Sequence, residues 1–284
     1  MGVGVGMTGT LDWQGRVGDV WAAEWRCTDR SLADLSRHLD AAIATVAPEQ
    51  GNALDIGSGA GATSLALRAA RPGLRVTGAD LSPGLVERAR ARASALEGDG
   101  PHFICDDALA VAERERPFDL LVSRHGVMFF ADPVAAFARL RSSVRDGAAM
   151  VFSCFADRGQ NAFATMADEA LEMVPVPVMA YQPGPFAFAD RDKVRDLLTR
   201  AGWVPDSAER VSFDYVVGEG DNPVGDALSF LSRIGPAARG LAQAGADERV
   251  RIEARLRAAL SRHQVGDRIV LPASAWIWQL RAGA

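Results

Sequence analysis

The stretch NALDIGSGAGATSLALRAA, residues 52–70, reads as a short strand, a turn through three glycines and a helix. Glycine admits positive φ and lets a backbone approach a ligand closely, so the turn at Gly57, Ser58, Gly59 and Gly61 is a candidate cofactor seat at the carboxyl edge of a sheet. The neighbouring segments supply that sheet. LRVTGAD (74–80) is a strand ending on Asp80, and Ser82 then caps a helix with Pro83 in its first turn. HFIC (102–105) and FDLLVS (118–123) are the next strands. Asp132 and Pro133 repeat the cap, Val134, Phe137, Leu140 and Val144 recur at helical spacing, and Gly147 reads as the helix stop before the strand AAMVFSCF (148–155). Strands interleaved with helices predict an α/β fold with a parallel, doubly wound sheet.

Outside this core, SLADLSRHLDAAIATV (31–46) places Leu32, Leu35, Leu39, Ile43 and Val46 on one helical face. A helix near 190–201, a strand RVSFDYVVG (210–218), a helical stretch from about 223 to 262 and a last strand RIVLPASAWIWQL (268–280) follow. Alternation in that last strand fits a half-buried edge. Segments 156–189 and 218–264 interrupt the alternation and read as insertions covering the substrate side. With no repeat or linker, the chain divides into an N-terminal tail and helices (1–50) and one domain (51–284) carrying both insertions. The opening MGVGVGMTGT is read as a disordered tail, with Met7 as an alternative start.

Bulk properties narrow the function. Over 284 residues, 48% hydrophobic and 24% charged is ordinary globular composition, and a net charge of -5 offers no footprint for nucleic acid. No apolar run approaches the roughly 18 residues of a membrane span, so a cytoplasmic protein without a membrane partner is expected. Cys27, Cys105 and Cys154 are too few and too far apart for a disulfide framework or a zinc cluster, and are expected to be reduced and mostly buried. No metal site is expected. Lys193 is the single lysine and opens a solvated helix, which leaves no Schiff-base or phosphate-loop lysine. A homo-oligomer is left open.

The acidic residues around the turn bear on its ligand. The glycines follow GxGxG, and Asp55 at the mouth of the turn is poorly placed beside a diphosphate but suits the ammonium and sulfonium charges of S-adenosylmethionine. Asp80, 19 residues beyond Gly61, can accept from both ribose hydroxyls, a feature shared with NAD sites. Asp107, or Asp106, after the third strand could accept from an adenine amino group while the Ala108 N–H donates to the ring; either aspartate could equally be a helix cap.

LDIGSGAG, GADLSPGLVERARARA, DDA, FDLLVSRHGVMFFADPVAAFARLRSSVRDGAAMVF and PGPFAFADRDKVRDLLTRAGW resemble, in order, the motifs of class I S-adenosylmethionine-dependent methyltransferases, particularly a bacterial small-molecule branch. The resemblance covers about 50–155 closely and 183–216 more loosely. It implies a Rossmann-like seven-stranded sheet whose last strand is antiparallel, with N-terminal helices and a helical lid. Carried onto this chain, Asp55 and the Gly57–Gly61 turn would line the methionine part, Asp80 and Leu81 the ribose and adenine, Asp107 and Ala108 the adenine edge, and Ser123 and Arg124 the reactive end. GDVWAAEW (18–25) also resembles a family element, which makes Trp21 a candidate cover over the methionine moiety, with core packing as its alternative.

Methyl transfer from a sulfonium is carried largely by positioning and desolvation. An oxygen acceptor would also gain from a general base, and His125 follows the fourth strand at a place where the resembled phrase more often has an apolar aromatic. It is read as a base, a substrate contact or a hydrogen-bonded wall residue. Cys154, Gln160 and Asn161 in CFADRGQNAF, and Tyr181 in the apolar stretch VPVPVMAYQPGPF, are candidate acceptor contacts. The expected activity is methylation of a small, partly apolar organic molecule, oxygen ahead of nitrogen or carbon. A NAD(P)-dependent oxidoreductase and a non-methylating S-adenosylmethionine-binding protein are the alternatives.

Overall fold

The computed structural model describes residues 10–174 and 181–283. The readings of a tail before Thr10 and of 175–180 as part of an apolar cover lie outside the described residues. Four helices lead the described residues: α1 (Thr10–Gln14), α2 (Arg16–Ala23), α3 (Trp25–Ser31) and α4 (Ala33–Val46). In α4 the apolar face buries Leu35, Leu39 and Ile43 as its spacing predicts. The alternating core follows: β1 (Gln50–Ile56), α5 (Ala62–Ala70), β2 (Gly73–Asp80), α6 (Pro83–Ser94), β3 (His102–Cys105), α7 (Ala108–Glu115), β4 (Phe118–Arg124), α8 (Pro133–Ser142) and β5 (Val144–Phe155). The caps behave as read: Ser82 Oγ accepts from the Leu85 N–H, and the Asp132 carboxylate from that of Ala135.

The C-terminal half comprises α9 (Ala162–Ala170), α10 (Arg191–Arg200), β6 (Trp203–Glu219), α11 (Pro223–Leu231), α12 (Pro236–Gln243), α13 (Ala246–Ser261), a two-residue β7 (Gln264–Val265) and β8 (Arg268–Ala282). The strand order is β3-β2-β1-β4-β5-β8-β6, with β7 paired to β8. Strands β1 to β5 pair in parallel, while β8 runs antiparallel to both β5 and β6, giving the Rossmann-like mixed sheet.

Five expectations need correction. The last strand is no edge: β8 lies between β5 and β6, and the edge falls to β6. Its alternation reflects unequal cover on the two faces, with Trp278 fully buried on one side and Gln279 reaching α4 on the other. The β6 strand starts at Trp203, well before the sequence signal, because β8 pairs with it along its whole length. The stretch from 223 to 262 is three helices, which Ser232–Gly235 and Ala244–Gly245 interrupt. Gly147 does not stop a helix; α8 ends at Ser142, and Gly147 (φ 75) sits inside β5 where the β4–β5 register shifts. Cys105 is also exposed, while Cys27 is partly and Cys154 wholly buried.

The two insertions meet as one helical layer. Arg255 of α13 donates to the Ala170 carbonyl (2.9 Å) at the end of α9 and to Glu172 (2.8 Å). Trp203 anchors the other end of the sheet: it is 2% exposed and its indole N–H donates to the Phe137 carbonyl of α8 at 2.9 Å. Trp203→Ala should destabilise the protein by about 3–5 kcal/mol, the usual range for truncating a buried large aromatic, read as a lower denaturation midpoint at unchanged m.

Candidate active site

The strand order reverses between β1 and β4, which opens a crevice at their carboxyl ends. The glycine turn lies there, with Gly57, Gly59 and Gly61 all at positive φ (66, 54 and 84°). Each glycine is needed for a different reason. A Cβ on Gly57 would stand 3.0 Å from Gly126 Cα, and one on Gly61 would press into the Phe103 ring. At Gly59 nothing lies within 4 Å, so the backbone itself faces open space.

Asp55 is fully buried beneath this turn. Its Oδ2 accepts from Ser64 Oγ at 2.7 Å, while Oδ1 has no hydrogen-bond partner, and neither has the buried Ser58 Oγ. Burial raises the Asp55 pKa to about 6; Ser64 and Arg124 oppose the rise and nearby Asp80 adds to it. Asp80 accepts from the Gly59 N–H through Oδ2 and the Ser82 N–H through Oδ1, both at 2.8 Å, and burial raises its pKa as well. Two neighbouring carboxylates, Asp55 buried and Asp80 partly buried, repel a diphosphate and favour a cationic ligand. The unpartnered oxygens and the open backbone at Gly59 fit S-adenosylmethionine, whose ammonium and sulfonium are cationic.

The remaining sequence candidates spread over distinct environments. Leu81 is half-buried beside Asp80. Asp107 caps α7, its Oδ1 accepting from Leu109 and Ala110, with Ala108 opening the helix; Asp106 pairs with Arg114 at 3.0 Å. Ser123 is fully buried, its Oγ donating to the Ile56 carbonyl and accepting from the Gly126 N–H. Arg124 turns toward the N-terminal helices, donating to Asp29 (2.8 Å) and Ser36 (3.0 Å). Trp21 packs on the cluster of Ala22, Ala60 and Leu85, next to the glycine turn, and against Trp13 at 5.7 Å.

The acceptor candidates divide. Cys154 is fully buried with Sγ directed at the Phe188 carbonyl (3.6 Å), and burial drives its thiol pKa far up. Asn161 is equally enclosed, its amide donating to the Asp157 carbonyl and its oxygen accepting from the Ser274 N–H of β8. These packing and hydrogen-bonding roles take the place of the acceptor contact expected for both. Tyr181 is exposed, and its hydroxyl donates to the Phe130 carbonyl at 2.7 Å. A cavity of about 390 Å³ includes Gln160, Arg210, Ser212, Phe213 and Ser274 in its lining, and none of the glycine-turn residues.

His125 follows β4 in the left-handed region (φ 64°) and is 8% exposed. Its ring meets Phe155 edge to face at 4.1 Å, and Phe155 packs against Phe163 and Phe186. Burial, reinforced by Arg124, lowers the His125 pKa to about 3, so the imidazole is neutral and a weak base. Sequence reasoning missed Ser64, Asp29 and Ser153, the partners of Asp55, Arg124 and His125. Ser64 lies in the first turn of the helix after the glycines, where its spacing from Asp55 could have revealed it; the other two meet their partners only through strand register and helix packing.

The Asp55 carboxyl has a pKa raised above its unfolded value of about 4. Its contribution to stability is therefore present in full below about pH 4 and is lost as the pH rises through about 6. Asp55→Asn should be more stable than the wild type above pH 6, by about 3 kcal/mol for a shift of this size, and similar to it below about pH 4. Denaturant midpoints at both ends of that window check this.

Residues 53–147 match the model of a methyltransferase domain family. The chain is 31% identical over 106 residues to a malonyl-[acyl-carrier protein] O-methyltransferase of Anoxybacillus flavithermus, covering 37% of this chain and 39% of that protein. It is 39% identical over 104 residues to a release factor glutamine methyltransferase of Rhodospirillum rubrum, covering 36% and 31%. The matched segment thus spans less than two fifths of either relative. Among solved structures, a protein described for the conversion of a disulfide bond into a thioacetal group during echinomycin biosynthesis shares the fold, with a TM-score of 0.54 and 24% identity over 86% of this chain and 81% of that one. The matched segment identifies residues 53–147, about a third of the chain, as a methyltransferase domain, in line with the motif order and the sheet topology.

Proposed function

We propose that the protein transfers the sulfonium methyl of S-adenosylmethionine to a small, partly apolar organic acceptor, oxygen ahead of nitrogen or carbon. The observation that carries this reading is the buried Asp55 carboxylate, with one oxygen unpartnered, below the open backbone at Gly59. The cofactor brings the activated methyl group; the chain's residues bind, orient and exclude water. In this reading Asp55, Ser58 and the glycine backbone hold the methionine end, with Trp21 over it. Asp80 and Leu81 hold the ribose side, and Asp107 and Ala108 the adenine edge. Ser123 and Arg124 act from behind the reactive end, which they join to β1 and to the N-terminal helices.

The aromatic wall of Phe155, Phe163 and Phe186 supports an apolar acceptor, since removing water around a reacting oxygen strengthens its interactions. The relatives named above act on a carrier-bound malonyl group and on a protein glutamine, so the acceptor does not follow from them. The layer formed by 156–189 and 218–264 would be the lid of a catalytic domain spanning 51–284. Among the described residues no helix is long and apolar enough to cross a membrane, and a cytoplasmic location is part of the proposal.

Titration calorimetry with S-adenosylmethionine, its demethylated product S-adenosylhomocysteine and NAD tests the reading. Micromolar binding of the first two and silence from NAD are expected, with Asp80→Ala weakening both by roughly tenfold or more. Binding of NAD alone would overturn the proposal in favour of redox chemistry. Tight S-adenosylmethionine binding that never yields demethylated product, across an acceptor screen, would reduce it to a binding protein.

A further inference from the structure

Beneath His125 lies the buried hydroxyl of Ser153. Ser153 of β5 stands opposite Arg124 in the β4–β5 register, which carries it under the end of β4. It holds His125 twice: its carbonyl accepts from the His125 N–H at 3.2 Å, and its Oγ stands 2.8 Å from Nδ1. Ser153 is fully buried. The left-handed backbone at a non-glycine residue persists only when its surroundings over-determine it, and these two bonds do so.

The hydrogen-bond inventory selects one tautomer. If Nδ1 carried the proton and donated it to Oγ, the buried serine hydroxyl would still need an acceptor, and the Nε2 lone pair would be unpaired as well. If Oγ–H donates to Nδ1, a single group is left over, the Nε2–H. Nε2 is buried with no partner, in a ring packed on Phe155. The phenyl groups of Phe163 and Phe186 and the ring of Tyr215 continue this wall, at 5.0 to 6.0 Å between neighbouring centroids. A lone N–H donor in such a wall has high affinity for an oxygen that is itself stripped of water.

We propose that Ser153 is a positioning residue that holds His125 as a neutral imidazole with its proton on Nε2, and that this N–H donates to an anionic oxygen, a carboxylate or phenolate, of the methyl acceptor. The inference rests on the methyl-transfer reading for its chemistry, but not for its geometry. With its proton on Nε2 and its Nδ1 lone pair taken by Ser153, the ring has no free lone pair to strip a proton from an alcohol, so in this proposal the acceptor arrives with its oxygen already ionised. The oxygen's own lone pair then forms the O–C bond as the C–S bond breaks, its electron pair stays on sulfur, and no proton moves. The charged group acting on His125 is Arg124, which is itself paired with Asp29.

The test is a long-range proton–nitrogen spectrum of the full-length, ¹⁵N-labelled protein, with the His125 ring identified by its loss in His125→Gln. From about pH 5 to 8, across the range where an ordinary histidine titrates, His125 should stay neutral with the proton on Nε2. Ser153→Ala should give a mixture of tautomers, and Ser153→Thr, which keeps the hydroxyl, should restore the single form. Benzoate, as the anionic probe, should shift the Nε2–H resonance saturably, and roughly tenfold more weakly in Ser153→Ala. A proton on Nδ1, titration of His125 within that range, an unchanged tautomer in Ser153→Ala or an Nε2–H resonance indifferent to benzoate would each overturn the inference. These spectra stand apart from cofactor binding, whose failure would sink the methyl-transfer reading and leave the tautomer untouched.

Discussion

The site depends on one close approach of backbone to backbone. Gly57, leaving β1, and Gly126, just beyond β4, stand so near that a Cβ on either would come within about 3 Å of the other's Cα. Ser123 bridges the same gap, giving its hydroxyl proton to the Ile56 carbonyl and taking that of the Gly126 amide. Because the two strands part company in topology here, their loops can lie together only where side chains are absent. That contact sets the Asp55 carboxylate below the turn and His125 beside it, so the two groups share one floor.

The N-terminal helices close this floor from above through charge. Asp29 of α3 takes bonds from Arg124, at the end of β4, and from Arg92 of α6, and Arg92 also donates to the Ala60 carbonyl within the glycine turn. The guanidinium of Arg92 lies over the Trp25 ring at 4.6 Å. These partly buried, multiply bonded groups are of the kind that contribute more than exposed pairs do. They tie three separate elements to the turn, and they explain why Arg124 faces the helices and not the crevice.

Electrostatically the crevice has two characters. Around Asp55 and Asp80 burial works against ionised carboxylates, which a cation would relieve; around His125 burial keeps a base neutral in aromatic surroundings. The same desolvation makes the ligand-free site less stable than an apolar one would be.

What the sequence determined by itself was everything carried by local chemistry: glycines where φ must be positive, Ser82 and Asp132 as caps, the apolar face of α4, and the order of strands and helices through β5. Asp55 and Asp80 at strand ends were legible for the same reason, since a strand's end is marked by the turn that follows it. Tertiary structure alone decided the rest. The interior place of β8, the early start of β6 and the meeting of Ser153 with His125 depend on strand pairing between distant segments, which no local pattern encodes. Cys154 and Asn161 lie near the expected acceptor loop in sequence, yet packing of β8 and of the segment around Phe188 encloses both, because burial is a property of what arrives from elsewhere in the chain.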